Sequence, residues 1–548
     1  MLNIKFPGFL VALVASSIVT AVVVPPANAA DGAAATANDE LRNTVINILD
    51  SLVQKGILTA EQAKALVADA QAKAEAAAAA RAQQDKDEKD AVRVTTVPPL
   101  VRFQIESEMK QDVADAVIKQ AKRDRWGIPG ALPDWVGNLR LYGDVRLRTE
   151  DDAYDKDNLQ NIYINILATN KAGGIGKLSA TQAFLNVTEN NFKLVGRGRL
   201  GLRDQLSDSL ALDMRITSGS ATNPVSTNQT LGNYGNRWSV GMDKAALLWT
   251  PKSEYGTFGM DVRAGRFDNP FMTNSELIWD ADLNFEGLST SFSWNNKGRD
   301  GVIATRPAFL TLGAFPIQQV DLSPKDKWLI GSQLGTEERL GDQSLFRFAL
   351  AYYDYLNVTG VRNTVLGGDQ YDWTAPGFLQ KGNTLYDIRY DNDPTTDLYA
   401  LASKYHLASA LLQLDLKLYG ENHLTVGGEF VRNIGWSGRE ATENVGYRVL
   451  GRTKGYEFSL GVGRTRLTGF GQWHASATYR SVERDAVLDA FNDSDFHLGG
   501  TDARGYIFSA ELGLAKALYA RLRYLSANEI DGAPLGIDVA QLDFIGQF

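Results

Sequence analysis

From residue 138 to residue 548, apolar side chains return at every second position, in one run after another. Leu139, Leu141, Gly143, Val145 and Leu147 alternate with Arg140, Tyr142, Asp144, Arg146 and Arg148. Ala408, Ala410, Leu412, Leu414 and Leu416 alternate with Ser409, Gln413, Asp415 and Lys417. A period of two marks a strand with one apolar and one polar face. Sixteen such runs can be counted, and several approach the roughly 9–11 residues that a tilted strand needs to cross a bilayer. A soluble sandwich also alternates, but on shorter strands. The connections favour the bilayer, because they alternate in length. Long ones fall at 150–191, 219–240, 357–397, 436–454 and 484–502. Short ones fall at 204–208, 251–257, 339–343, 419–421, 465–470 and 515–516. With both barrel ends periplasmic, every short connection lies on that side and every long one outside, as in bacterial transmembrane barrels. Only the turn at 294–304 strains the pattern. The expected fold is an all-β transmembrane barrel of about 16 antiparallel strands within 126–548.

The first 29 residues read as a signal peptide: Lys5, an apolar run from Phe9 to Val24, then Ala27-Asn28-Ala29 before the expected cleavage at Ala30. Residues 30–125 read as a periplasmic helical extension. Leu41, Val45, Ile48, Leu49 and Leu52 keep helical spacing, and Thr59-Ala60-Glu61-Gln62 is a capping box. A coiled coil and a flexible helical spacer both fit this segment. The chain has no cysteine, which excludes disulfides and thiolate metal sites, and its net charge of −9 argues against nucleic acid as a partner. The four histidines are scattered, no catalytic constellation is present, and no cofactor is expected.

A barrel of this size leaves a water-filled lumen, and its inward polar face sets selectivity. The expected basic wall is Arg146, Arg148, Arg197, Arg199, Arg203, Arg263 and Arg266. The connection after the fifth strand carries Asp268, Glu276, Asp280 and Asp282. Folded inward, it would set acid against the arginines across a narrow eyelet; folded outward, it would cap the surface. Tyr142, Trp249, Tyr352, Tyr353, Tyr419, Trp436 and Tyr524 sit near run ends, where an interfacial girdle is expected.

The tract Leu132-Pro133-Asp134-Trp135 to Tyr142-Gly143-Asp144-Val145-Arg146 resembles the opening of the bacterial "putative porin" family. Gly265-Arg266-Phe267-Asp268-Asn269-Pro270-Phe271 and Trp279-Asp280-Ala281-Asp282-Leu283-Asn284-Phe285-Glu286-Gly287-Leu288 carry the same likeness. The resemblance implies a porin in the outer membrane of a Gram-negative bacterium, passing small hydrophilic solutes and ions by passive diffusion. Gly-Arg-Phe followed by Pro-Phe is also similar to phosphate-selective porins, though the acidic loop opposes that selectivity. The last run, Ala540 to Phe548, resembles the closing strand of outer-membrane barrels, whose terminal aromatic is read by the β-barrel assembly machinery. Expected partners are outer-membrane lipids, solutes and that machinery; a homotrimer and a cell-wall contact stay open. The alternative reading is a structural envelope protein that tethers the outer membrane to the cell wall through its helical extension.

Overall fold

In the computed structural model the described residues are 138–548, without 252–256, 298–302, 322–323, 341–342 and 390, together with Ala68 and Ala72, both helical. The expected signal peptide and nearly all of the expected helical extension lie outside the described residues.

Sixteen strands form the barrel: β1 (Arg140–Tyr154), β2 (Asn191–Gln205), β3 (Leu210–Ser218), β4 (Val240–Trp249), β5 (Phe258–Asp268), β6 (Asn284–Lys297), β7 (Ile303–Gln318) and β8 (Lys327–Leu340). Next come β9 (Ser344–Leu356), β10 (Tyr405–Lys417), β11 (His423–Asn433), β12 (Lys454–Gly463), β13 (Trp473–Val482), β14 (Ala503–Ala515), β15 (Leu518–Glu529) and β16 (Gly536–Gln547). Each pairs antiparallel with its sequence neighbours, and β1 pairs with β16 to close the cylinder, Asp144 opposite Gln547 through Tyr154 opposite Ile537. The two-residue strand Gln229–Thr230 adds a short pairing against β2. None of the described helices is long and apolar enough to span a membrane.

Alternation places the faces as the physics requires. On β1, Asp144, Arg146, Arg148, Glu150 and Asp152 are buried inside while Leu141, Val145 and Leu147 are exposed outside. An exposed apolar belt on a paired sheet is stable only against lipid. Strands β6 and β7 run further than their alternation suggested, so five residues rather than eleven separate them and the strained turn disappears. The run expected at 398–418 starts as a barrel strand only at Tyr405; Tyr399–Leu401 instead pairs with Leu385–Asp387 inside the preceding loop.

The long-loop half of the interior is not uniformly polar. Inward Phe267, Phe285, Phe315, Tyr353, Leu407 and Val482 belong to one buried apolar cluster that also takes in loop residues. Tyr353 is buried there, whereas its neighbour Tyr352 is exposed outside, because adjacent strand residues cannot share a face. Of the expected girdle, Trp249, Tyr419 and Tyr524 are exposed as well. Tyr142 instead turns inward to donate to Asp213 (2.5 Å), and Trp436 packs against a cluster within the loops.

Closure ends at Phe548, whose backbone exchanges two hydrogen bonds of 3.1 Å with Gly143. The Phe548 ring lies over Gly143, where an added Cβ would meet both that ring and the Arg199 carbonyl. Deleting Phe548 removes this last rung, worth roughly 1–2 kcal/mol. The yield of heat-resistant folded barrel is expected to fall severalfold, with the conductance of the surviving channels unchanged. An unchanged yield would refute the assembly role.

Candidate functional site: the constriction

Two of the inward-turning loops meet the basic wall of the cylinder. The first, L3 (269–283), leaves β5 at Asn269, whose side chain accepts from the Phe271 backbone (3.0 Å), and Pro270, which cannot extend the ladder. Gln333 of β8 then brackets Met272, accepting from its N–H (2.6 Å) and donating to its carbonyl (2.8 Å). Further on, Asn274 donates to the Leu412 carbonyl on β10 (3.0 Å) and the Ser275 hydroxyl donates to Glu429 on β11. L3 therefore crosses the interior. Its aromatic anchor is Trp279, with ring centroids 5.0 Å from both Phe285 and Tyr353.

The second, L7 (483–502), packs on the first. The Asp280 N–H donates to the Phe491 carbonyl (2.8 Å), the Ser494 N–H to the Asp280 carboxylate (2.9 Å), and the Asp493 N–H to the Glu276 carbonyl (3.2 Å). L7 is sharply folded: His497 and Leu498 both hold positive φ (56° and 66°), a conformation costly enough that the surrounding packing must impose it.

The loops meet an arginine wall on β1, β2 and β15. Asp282 of L3 lies 3.3 Å from both Arg197 and Arg199, which also hold Asp144 at 2.9 and 2.5 Å. Asp495 of L7 lies 3.0 Å from Arg148 and 2.9 Å from Arg523. Arg148 also binds Asp543 (2.7 Å), which Arg521 shares (2.8 Å), and Asp493 pairs with Arg480. Acid and base are thus in contact. Arg146 is the exception: its guanidinium donates to Asn228, and among the described residues no carboxylate lies within ion-pair distance of it.

The other expected residues divide. Arg263 faces the lumen lower down, 2.8 Å from Asp261, and Arg203 is exposed at the short-turn end of the same inward register. Arg266 does not line the lumen. It lies on the outward register with Ala264 and pairs across to Glu286 (2.7 Å), one step out of phase with Arg263 and Phe267. Asp268 pairs with Lys244 where β5 ends. The Glu276 carboxylate accepts from the Ala281 N–H within L3 (3.0 Å) and that of Asp280 from the Ser494 N–H of L7, neither of them at ion-pair distance from an arginine among the described residues. Arg480, Arg521, Arg523, Asp493 and Asp495 were missing from the expected set. Arg521 and Arg523 were visible in the alternation of their run; nothing local marks Asp495.

Below L3, toward the short-turn end, a cavity of about 660 Å³ lies between Asn269–Thr273 and the wall of β5–β9. Ser289, Ser291, Thr311 and the cluster of Arg306, Glu337 and Arg347 line it. A second cavity of about 510 Å³ shares Glu337 and Arg347 with it and continues to Asp415, Lys417 and His423.

Charge states within the loops follow from these contacts. Burial would raise the Asp495 carboxyl, but Arg148, Arg523 and Arg146 hold it far below the usual range. Burial likewise opposes Arg197, Arg199 and Arg146 at Asp282, which stays low. Glu276 behaves in the opposite way: burial and then Asp493 push it up to about 7, against the pull of Arg523 and Arg480. Asp280 is also raised, by burial and then by Glu276, Asp493 and Asp282. A carboxyl raised in the folded state binds its proton more tightly there than when released, so the L3–L7 contact is firmest at low pH. It should weaken as pH rises from the ordinary carboxylate range toward 7. Hydrogen exchange in 276–282 is expected to quicken over that window, and Glu276→Gln is expected to flatten the profile. An identical profile in the variant would contradict this assignment.

The sequence matches the family described as "Putative porin" over residues 42–548. The chain belongs to this family. The family and the closed barrel with its apolar outer wall point to the outer membrane of a Gram-negative bacterium. Among solved structures, the chain is similar to OprB of Pseudomonas putida, with 12% identity and a TM-score of 0.43 over 77% of this chain and 97% of that one. It is also similar to a loop-L8 deletion mutant of OmpT from Vibrio cholerae, with 10% identity and a TM-score of 0.36 over 75% of this chain and 99% of that one. A triple mutant of the Rhodopseudomonas blastica porin gives 11% and 0.34 over 75% and 100%. No curated protein matches the sequence.

Proposed function

We propose that this porin-family chain is a passive diffusion channel for small hydrophilic solutes and ions, gauged by L3 and L7 against the arginine wall. The observation that carries the reading is the double bridge of Asp282 to Arg197 and Arg199, and of Asp495 to Arg148 and Arg523. Such bridges narrow the passage while presenting fixed donors and acceptors to a solute in place of its water. Because most charges are paired, the passage discriminates weakly by sign, with Arg146 leaving it slightly basic. Purified protein in planar bilayers is expected to give discrete conductance steps; a reconstituted barrel without steps would overturn the reading.

The arginines make a sharper prediction. Arg197→Gln with Arg199→Gln leaves Asp144 and Asp282 uncompensated. The reversal potential should move toward cation selectivity by a sizeable part of the ~59 mV limit for a tenfold salt gradient. Arg203→Gln, at the exposed mouth, is expected to move it less, because water screens the charge there. An unchanged reversal potential in the double variant would place the selectivity filter elsewhere.

A further inference from the structure

Outside the lumen, three exposed cations on the lipid-facing register have no carboxylate at ion-pair distance among the described residues: Arg432 on β11, Lys454 on β12 and Arg504 on β14. Arg432 and Lys454 are direct cross-strand neighbours, and Arg504 stands two strands further round. Each lies two residues beyond an outward aromatic, toward the long loops: Phe430 before Arg432, Tyr456 below Lys454, Tyr506 below Arg504. Two residues of strand are about 7 Å. The aromatics form a continuous band, with Tyr456, Tyr479 and Tyr506 at successive centroid distances of 6.1 and 5.1 Å. Outward tyrosines on a barrel mark the depth at which hydrocarbon gives way to headgroups. The cations therefore stand at headgroup depth, on the side of the long loops.

Two other outward basic side chains on this rim have acidic partners within the protein. His406 lies 2.6 Å from Asp354, and Arg266 lies 2.7 Å from Glu286. Glu483, opposite Lys454 across the strand end, accepts from the Lys454 backbone N–H (2.8 Å) rather than pairing with the ammonium. Two guanidinium forks and an ammonium left open beside lipid call for an external anion, and phosphate oxygens match that donor geometry.

We propose that Arg432, Lys454 and Arg504 form a binding site for the phosphate groups of an anionic lipid in the outer leaflet. The site rests on the outer-membrane reading and extends it from a uniform apolar belt to a specific sector of the wall. Its strength should follow the number of cations, roughly fivefold in affinity for each.

Native mass spectrometry of the detergent-purified full chain tests this, with dioleoyl phosphatidic acid, dioleoyl phosphatidylcholine or inorganic phosphate added in turn. The wild type is expected to retain phosphatidic acid in preference to phosphatidylcholine, and inorganic phosphate only weakly. The combined Arg432→Gln, Lys454→Gln and Arg504→Gln variant is expected to bind phosphatidic acid about a hundredfold more weakly. Arg266→Gln with His406→Gln, on the same rim, should bind like the wild type. Equal retention by wild type and triple variant overturns the proposal. So does a triple variant that alters only oligomeric state, which would make this sector an interface between copies. Both proteins are also recorded in planar bilayers, where unchanged steps are expected. Loss of steps in both would count against the channel reading and leave the lipid comparison intact.

Discussion

Trp279→Ala is expected to raise single-channel conductance severalfold while the barrel stays assembled. Trp279 is 3% exposed and is the side chain by which L3 grips the wall, edge-on to Phe285 and Tyr353. Truncating a buried aromatic of this size costs about 3–5 kcal/mol. The cost falls on the loop, because no strand ladder passes through Trp279 and the cylinder is closed by β1 and β16 without it. L3 should then leave the interior for part of the time. Protease sensitivity within 270–283 and a larger, noisier current would show it, and Trp279→Phe should restore most of the wild-type behaviour. Unaltered conductance together with a newly cleavable loop would mean that L3 does not limit the passage.

Arg148→Met carries the second large effect, on L7. Arg148 is 2% exposed and its guanidinium serves three acids at once, Asp543, Asp495 and Glu150. Removing one partner of a buried ion pair costs about 3–5 kcal/mol when the other is left unpaired. Here Asp495 keeps Arg523 and Asp543 keeps Arg521, so about 2–3 kcal/mol is expected. Thermal unfolding of the purified barrel should come at lower temperature, and the freed acids should make the passage more cation-selective. Arg148→Lys retains the charge but not the fork that reaches two carboxylates, and should fall between the two. A melting temperature and reversal potential equal to the wild type would remove Arg148 from the constriction.

The residues that could be placed from sequence share one property: their position follows from the parity of their own run. Arg146, Arg148, Arg197 and Arg199 face inward because Leu147, Leu141 and Leu200 beside them must face lipid. Arg266 was expected in the basic wall with Arg263; the strand continues regularly to Asp268, and Arg266, three residues after Arg263, falls on the opposite face. Parity fails where the chain stops being a regular strand. Acidity alone also could not sort L3. Asp282 reaches arginines, whereas the Asp280 carboxylate accepts from the Ser494 N–H of L7 and that of Glu276 from the Ala281 N–H within L3 itself.

Sequence by itself determined the cylinder: strand number, the alternation of long and short connections, the apolar exterior, and the closing strand that ends at Phe548. Those features are local, since a period of two and a turn are each written in a few consecutive residues. Only the tertiary structure decided the constriction. Arg148 and Asp495 are 347 residues apart and meet only because β1 closes against β16 while L7 folds beneath the rim. The upper lumen is filled by apolar residues for the same reason. Inward Phe267, Phe285 and Tyr353 break the polar pattern of their strands because L3 and L7 bring them aromatic partners rather than water.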